Sequence, residues 1–281
     1  MAVIALTSAK GSPGVTTTAL ALAWVWPEVA PGRRVIVVDA DMAGGDIAAG
    51  YLRGAVSSTD GLLGLASDRS GDRAAALWDH LVALDDKGIR LLLTGISEPT
   101  QARSLVPIWA TLATVFAQLA DEDPPIDVLL DLGRLGSVHE ATPLRERADI
   151  VLLVIRSSLT STASARPAGR RLREERGAAD GDPVGLGCVL VGEGQPYRGA
   201  EIADGVGVPV MATIAWDPTA AAVLSAGSPA SWRFARSPLV RSARASAAAL
   251  RAASVSEHAN EASRERIPPA VAADGRGRRH G

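Results

Sequence analysis

The sequence predicts an α/β protein with a three-layer architecture: a mostly parallel, twisted sheet of about seven or eight strands with helices on both faces. Three observations lead to this prediction. Short runs rich in Val, Ile and Leu recur along the 281 residues, and few alternate with polar residues, which is typical of strands covered on both sides. Segments long enough for helices separate most of these runs. A loop containing two glycines follows the first run and precedes the first helical segment.

The elements follow in chain order from this pattern. The apolar runs predict strands over 3–6, 35–38, 89–93, 128–130, 150–155, 188–191 and 208–214. The segments between or after them predict helices over 16–26, 71–85, 100–119, 142–147, 162–176, 200–206 and 239–253. The last of these helices is amphipathic, with Leu and Ala on one side and Arg on the other.

Composition favours one domain over residues 1–253, followed by an Arg- and Ala-rich tail over 254–281. Apolar residues make up 47% of the chain, which is enough for a sizeable core. The tail has few large apolar residues, so it cannot bury enough surface to offset its chain entropy, and we expect it to be disordered.

Charge and cysteine content narrow the function classes. The formal net charge is −2, which gives no general attraction to nucleic acid or anionic membranes. A single cysteine, Cys188, excludes an internal disulfide and a cysteine metal cage. Without a signal peptide pattern or an apolar run of about 20 residues, we expect a cytoplasmic protein. Recruitment to a membrane or nucleoid through a partner stays open, as does direct contact with a nucleic acid or a membrane surface, which the net charge does not support.

The most informative segment is the loop after the first strand. It reads Ala9-Lys10-Gly11-Ser12-Pro13-Gly14-Val15-Thr16-Thr17. A glycine loop that leads into a helix presents backbone N–H groups and the helix N-terminus to phosphate groups. The ordinary motif has Lys directly before its final Thr, but here Val15 holds that place. Lys10, one of only two lysines in the chain, lies near the start of the loop instead.

Carboxylates follow two of the predicted strands. Asp39 and Asp41 come at the end of the strand over 35–38, and Asp131 ends the strand over 128–130. Ligands of α/β proteins bind at the carboxyl ends of the strands, and aspartates there hold Mg²⁺ and its water shell in phosphoryl-transfer sites. The sequence therefore predicts a site for a magnesium–nucleotide complex.

Taken in order, these motifs resemble the MinD/ParA family of deviant Walker A ATPases, within the SIMIBI class of P-loop proteins. The family loop K-G-G-x-G-K-T-T corresponds to residues 10–17, the family D-x-D motif to 39–41, and the family Walker B aspartate to Asp131. The family ending G-x-P followed by I-P-x-D is similar to 207–217, which closes on Asp217. The resemblance covers about residues 1–227, and the CpaE-like branch is the subgroup considered.

The resemblance implies a role for each residue, with ATP and Mg²⁺ as cofactors. It makes Lys10 the deviant lysine, which reaches the phosphates of a partner subunit across a nucleotide-sandwich homodimer, and Asp41 the residue that orients the attacking water. Thr16 ligates Mg²⁺, with Asp39 and Asp131 in or near its shell. The resemblance assigns the remaining nucleotide contacts to the glycine loop and to the end of the motif over 207–217. These residues are Gly11, Ser12, Gly14, Val15, Thr16, Thr17 and Asp217.

The chain departs from the family at Val15, which removes a cation from the place where negative charge gathers, an effect worth several kcal/mol in comparable sites. Pro13 also removes one N–H donor from the loop. Two arginines just past strand ends, Arg134 and Arg156, are candidates to supply the missing charge.

Three functions remain open from the sequence. The first is an ATP-dependent dimerisation switch that positions or partitions a cargo (a chromosome, a plasmid, or pilus or secretion machinery) through a protein partner, with weakened or slow ATP hydrolysis. The second is a pseudo-ATPase that keeps the fold as a protein-interaction module. A small-molecule ligase of the same fold ranks below both, because the sequence offers no second pocket lysine for a carboxylate substrate.

Overall fold

The computed structural model describes residues 2–11, 13–56, 60–177 and 184–265, with side chains as far as residue 255. Its sheet has eight strands in the order β3-β4-β2-β5-β1-β6-β7-β8. All neighbouring strands are parallel except β3 and β4, which are antiparallel. The strands are β1 (Val3–Ser8), β2 (Arg34–Asp39), β3 (Leu81–Ala83), β4 (Arg90–Leu93), β5 (Ile126–Arg134), β6 (Ile150–Arg156), β7 (Leu186–Val191) and β8 (Val210–Ile214).

The described α-helices cover both faces of this sheet. They are α1 (Val15–Val29), α2 (Leu62–Ser67), α3 (Arg73–Asp79), α4 (Trp109–Gln118), α5 (Thr142–Glu146), α6 (Leu159–Glu175), α7 (Gly199–Val206), α8 (Pro218–Ser225) and α9 (Pro238–Glu265). A 3₁₀ segment, Pro99–Ile108, leads directly into α4, and a π-helical turn, Ile47–Tyr51, follows β2.

Two apolar cores lie on the two faces of the sheet. One is formed with α1, α8 and α9, and the other with α2 to α7. The strands β1, β2 and β6 are buried along almost their whole length, as expected for a parallel sheet between two helical layers. The predicted fold class, three layers with a mostly parallel sheet, is confirmed.

The central strands bring the predicted site together. In the sheet, β1 lies between β5 and β6, and β2 lies on the other side of β5. Asp39 at the end of β2 is in register with Asp131 of β5. The glycine loop leaves the carboxyl end of β1, so the loop and both aspartates meet at one edge of the sheet.

Several elements differ from the sequence prediction. The predicted helix over 71–85 is only α3, and its second half instead forms β3, which pairs antiparallel with β4. The sequence analysis missed α2, α8 and the π-helical turn, all short. Helix α9 extends to Glu265, so residues 254–265 of the predicted tail continue this helix, and the rest of that tail lies outside the described residues.

Among the described residues, one helical segment, Pro99–Asp121, is long and apolar enough by composition to cross a membrane, with a mean hydropathy of 1.3 in its most apolar window. Within that window 44% of the residues are buried inside the protein, because the segment packs on the sheet. Core helices of soluble proteins also pass this test, so the segment is weak evidence for a membrane span.

Candidate nucleotide site

The glycine loop enters α1 through Gly14, whose left-handed backbone conformation favours glycine. Gly14 is the N-cap of α1, with φ of 104° and no side-chain cap. Its carbonyl oxygen accepts the first helical hydrogen bond, from the N–H of Thr18 at 2.9 Å. No N-cap side chain accepts a hydrogen bond from the first N–H groups of α1. These groups are therefore available to bind an anion.

The side chain of Val15 is buried at the position where the ordinary motif has its lysine. Its side chain is only 6% exposed and belongs to the apolar core between the sheet and α1. Thr16 and Thr17 are half-buried and face the opening beside the loop. The first turn of α1 thus offers hydroxyl and backbone donors but no cation.

Asp39 and Asp131 are buried behind this loop with part of their hydrogen-bonding capacity unused. Each residue is 1% exposed. Oδ1 of Asp131 accepts the N–H of Gly133 at 3.0 Å. Oδ2 of Asp131 and Oδ1 of Asp39 have no hydrogen-bond partner among the described residues. Buried carboxylate oxygens without partners are costly, so these two oxygens favour a cation or an ordered water shell next to them.

Burial and mutual repulsion raise the pKa values of the carboxyl groups in this cluster. Burial, followed by the charges of Asp131 and Asp41, raises the pKa of Asp39 well above its usual range. Burial raises the pKa of Asp131 to about 6, opposed by the Thr16 hydroxyl and the N–H of Gly133. Burial also raises the pKa of Asp41, with a smaller contribution from Asp46. A bound divalent cation would reverse these shifts by favouring the charged forms.

Three glycines allow the carboxylates to lie against the backbone. A Cβ on Gly45 or Gly95 would overlap the side chain of Asp39, and a Cβ on Gly133 would overlap the carboxylate of Asp41. Gly133 also has a positive φ of 57°. The hydroxyls of Thr7 and Ser8 in β1 donate to the carbonyl of Gly133, so the segment after Asp131 is fixed against the strand that carries the glycine loop.

A cavity of about 870 Å³ opens in front of these groups. Its wall combines the glycine loop, the segment after β2, the end of β5 and the C-terminal end of α8. The lining residues are Ser8, Gly11, Pro13, Gly14, Val15, Thr16, Thr17, Asp41, Ala43, Asp46, Ile47, Ala49, Gly50, Gly133, Arg134, Arg156, Leu224, Ser225 and Ala226. Its size suits a small ligand such as a nucleotide.

The cationic side chains among the described residues of this wall are Arg134 and Arg156. They end β5 and β6, the strands on either side of β1, so they flank the glycine loop. Within the described part of the chain neither forms an ion pair with a carboxylate. The guanidinium of Arg156 stacks on the ring of Trp216 at 4.2 Å, which limits its freedom and holds it near the cavity.

Two of the other predicted site residues, Lys10 and Asp217, lie outside this cavity. Lys10 is exposed and lines a smaller cavity of about 350 Å³ on the other side of the loop, which it shares with Arg156. Asp217 is the N-cap of α8, where its Oδ1 accepts the N–H of Ala220 at 3.1 Å, and it lines a separate cavity. Gly11 lines the main cavity. Ser12 lies outside the described residues.

Two expectations about aspartates need correction. The sequence suggests that Asp39 and Asp41 share one extended strand, but β2 ends at Asp39 and Asp41 lies in the segment after it. The position of Asp127 near the start of β5 suggests that it is solvated. It is 2% exposed and accepts hydrogen bonds from Arg33, Trp26 and the N–H of Ala2.

Sequence reasoning missed the part of the wall that comes from α8 and the π-helical turn. Gly50 of this turn packs so closely on α8 that a Cβ there would overlap the carbonyl oxygen of Ser225. Asp46, directly before the turn, also lines the cavity. Gly50 itself was the available signal, since a glycine allows a close approach of backbone segments.

Similar folds occur in solved structures of MinD proteins and of a ParA family ATPase. The septum site-determining protein MinD of Pyrococcus horikoshii, complexed with Mg-ADP, is 19% identical, with 88% of this chain and 94% of that chain covered and a TM-score of 0.64. MinD of Aquifex aeolicus, in its complex with MinC, is 17% identical, with 90% and 96% covered and a TM-score of 0.66. A ParA family ATPase from Chlorobium tepidum is 20% identical, with 88% and 98% covered and a TM-score of 0.62.

At these identities the likeness establishes the fold alone, and the chain therefore has the fold of the MinD and ParA ATPases. No protein-family model and no curated protein sequence matches it.

The residues present fit a magnesium–nucleotide complex. Among the described residues, no group of three or more His, Cys, Asp or Glu side chains could hold a metal by itself. Magnesium in nucleotide sites typically has one or two protein ligands and takes the others from phosphates and water. The unpartnered oxygens of Asp39 and Asp131, beside Thr16, suit such a partly completed site.

Proposed function

We propose that this protein is a MinD/ParA-like switch that binds ATP and Mg²⁺ at the glycine loop, dimerises across the nucleotide and positions a cellular cargo in the cytoplasm. The observation that carries the proposal is the buried Asp39–Asp131 pair with unpartnered oxygens, directly behind a glycine-capped helix and a cavity of about 870 Å³. The Mg-ADP of one structural neighbour and the MinC partner of another support the same reading.

Different residues of the chain bind different parts of the magnesium–nucleotide complex. The backbone N–H groups at the start of α1 bind phosphate oxygens. Thr16, with Asp39 and Asp131 behind it, holds Mg²⁺, which neutralises phosphate charge when bound. Asp41 faces the cavity and is held by the N–H of Ala43 at 2.8 Å. That position suits an acceptor that orients a water.

Arg134 and Arg156 take the place of the cation that Val15 removes. They lie on both sides of the loop, and guanidinium groups bind phosphates through paired hydrogen bonds. The two guanidinium groups reach the cavity from the ends of strands and not from the first turn of α1. Their positive charge therefore does not lie where a P-loop lysine would place it. We therefore propose nucleotide binding with weak or slow hydrolysis.

Lys10 supports the dimer part of the proposal. It is exposed and lies outside the cavity of its own subunit, as required of a side chain that serves a partner subunit. We propose that the partner that recognises the nucleotide-bound dimer is a protein of a partitioning, pilus or secretion system.

Binding of labelled ATP with and without Mg²⁺, combined with light scattering after gel filtration, tests this function. The Lys10→Ala variant should keep ATP binding as a monomer but lose nucleotide-dependent dimerisation. Lys87→Ala, which removes the other lysine of the chain from an exposed position, is the matched control and should behave like the parent.

The alternative is a pseudo-ATPase, and the burial of Val15 in the core favours it, since no cation of α1 faces the phosphates. Absence of ATP binding at millimolar concentration would select this alternative. Binding and dimerisation without phosphate release would select a nucleotide switch that does not turn over.

A further inference from the structure

A second large cavity lies beside the first helical turns of α8 and α9. It has a volume of about 870 Å³ and is lined by α8, by the segment over 228–237 and by Pro238. Its floor is apolar, with Ala220 and Phe234 buried beneath it. The ring of Trp232 stands at its rim and is 76% exposed, the largest exposure among the exposed large apolar side chains of the described residues. We call this cavity the α8–α9 groove.

The groove is positively charged. Arg233 and Arg236 line it, and the guanidinium of Arg233 stacks over the ring of Trp232 at 4.7 Å. The acidic residue in its lining is Asp217, whose carboxylate already caps α8. Neither arginine forms an ion pair within the described part of the chain. An exposed Trp–Arg pair beside an apolar pocket has the composition of a protein-binding hot spot.

We propose that the α8–α9 groove binds an acidic peptide segment of a partner protein, with an apolar or aromatic side chain of that segment in the pocket. Arg233 and Arg236 pair with its carboxylates, and Trp232 covers the inserted side chain. Charge excludes the segment over 276–279 of this chain as the occupant, because it reads Arg-Gly-Arg-Arg. A concave apolar floor with two arginines suits a peptide better than a nucleic acid, which needs a row of phosphate contacts.

The groove is connected to the nucleotide cavity through a single short helix. The N-terminal part of α8 lines the groove, and its C-terminal residues Leu224 and Ser225 line the nucleotide cavity. Gly50 of the π-helical turn packs directly on Ser225. A shift of the segment after β2 would therefore displace α8. This link rests on the proposed function, whereas peptide binding by the groove does not.

The test selects peptides from a random phage-displayed library on the full-length protein without nucleotide. The strongest peptide, labelled with fluorescein, is then titrated in an anisotropy assay. We expect selected peptides with net negative charge and a large apolar residue. Affinity should fall about tenfold or more in Trp232→Ala and in the double variant Arg233→Glu/Arg236→Glu. These side chains are exposed, so both variants should fold.

The matched control is Arg166→Glu/Arg170→Glu, which makes the same charge change on the exposed face of α6. An equal loss of affinity in this control would show general electrostatic attraction and overturn the proposal. Selection of neutral or basic peptides, or of none, would also overturn it, as would a labelled DNA duplex that competes with the peptide.

Repeating the titration with MgATP tests the link separately. If ATP binds and the peptide affinity changes, the link is supported; if ATP binds and the affinity is unchanged, the link is wrong. Failure of ATP to bind would count against the proposed function. Peptide binding by the α8–α9 groove would then be judged from the titration without nucleotide alone.

Discussion

The Asp131→Asn variant offers the sharpest test of the buried carboxyl cluster. The substitution keeps the shape of the side chain and the acceptor for the N–H of Gly133, but it removes a charge from a site that is 1% exposed. In the nucleotide-free protein that charge is unfavourable. We therefore expect the variant to be more stable than the parent at neutral pH, although it loses a residue of the proposed site.

The magnitude and its pH dependence follow from the pKa of Asp131. Burial raises this pKa from its usual value of 3.8 to about 6. Well below pH 3.8 the carboxyl is neutral in both folded and unfolded chains, so it costs nothing, and near pH 4 its cost is still small. As the pH rises, the unfolded chain releases its proton first and the folded state loses relative stability, until the folded carboxyl also ionises near pH 6. At about 1.4 kcal/mol per pKa unit the full cost is about 3 kcal/mol.

Urea unfolding of parent and variant in EDTA, at about pH 4 and about pH 7.5, measures this difference. We expect a free energy of unfolding for Asp131→Asn about 3 kcal/mol above the parent at the higher pH and close to the parent at the lower pH. Addition of MgATP should then stabilise the parent and leave the variant almost unchanged.

Asp127→Asn is the control, on the same strand and equally buried at 2% exposure. Asp127 has an ion pair with Arg33 at 2.7 Å, so its variant should be destabilised by about 2–3 kcal/mol at neutral pH. A destabilised Asp131→Asn, or a gain of the same size at both pH values, would refute the reasoning. Equal stabilisation of Asp131→Asn and parent by MgATP would remove Asp131 from the metal site.

Three further predictions concern the cavity. Arg134→Ala and Arg156→Ala should each weaken ATP binding about tenfold to a hundredfold, measured by titration with labelled ATP; parent-like affinity in both would show that neither replaces the missing lysine. Val15→Lys should raise the rate of phosphate release, and an unchanged rate at saturating ATP would mean that more than this cation is missing. Gly133→Ala should lower the free energy of unfolding by about 1–2 kcal/mol, because its φ is 57° and a Cβ would displace Asp41; unchanged stability in urea would contradict the close packing of that carboxylate.

The sequence by itself determined the fold class and the core of the site. Short apolar runs rich in Val, Ile and Leu that alternate with longer helical segments are typical of strands covered on two sides, and the loop from Lys10 to Thr17 lies between such a strand and a helix. Parallel strands carry their carboxyl ends to one edge, so the meeting of Asp39, Asp41 and Asp131 could be predicted without coordinates. The positions of Arg134 and Arg156 at the ends of strands placed them near the same edge for the same reason.

Only the tertiary structure decided which surfaces face the cavity and which buried carboxylates have hydrogen-bond partners. Asp127 and Asp131 are both aspartates of β5, yet one accepts hydrogen bonds from Arg33 and Trp26 and the other keeps an oxygen without a partner. These two partners of Asp127 come from α1 and the turn that follows it, far away in the chain. The wall from α8 and the α8–α9 groove likewise depend on how short helices pack, which local sequence patterns do not encode because the contacts join distant segments.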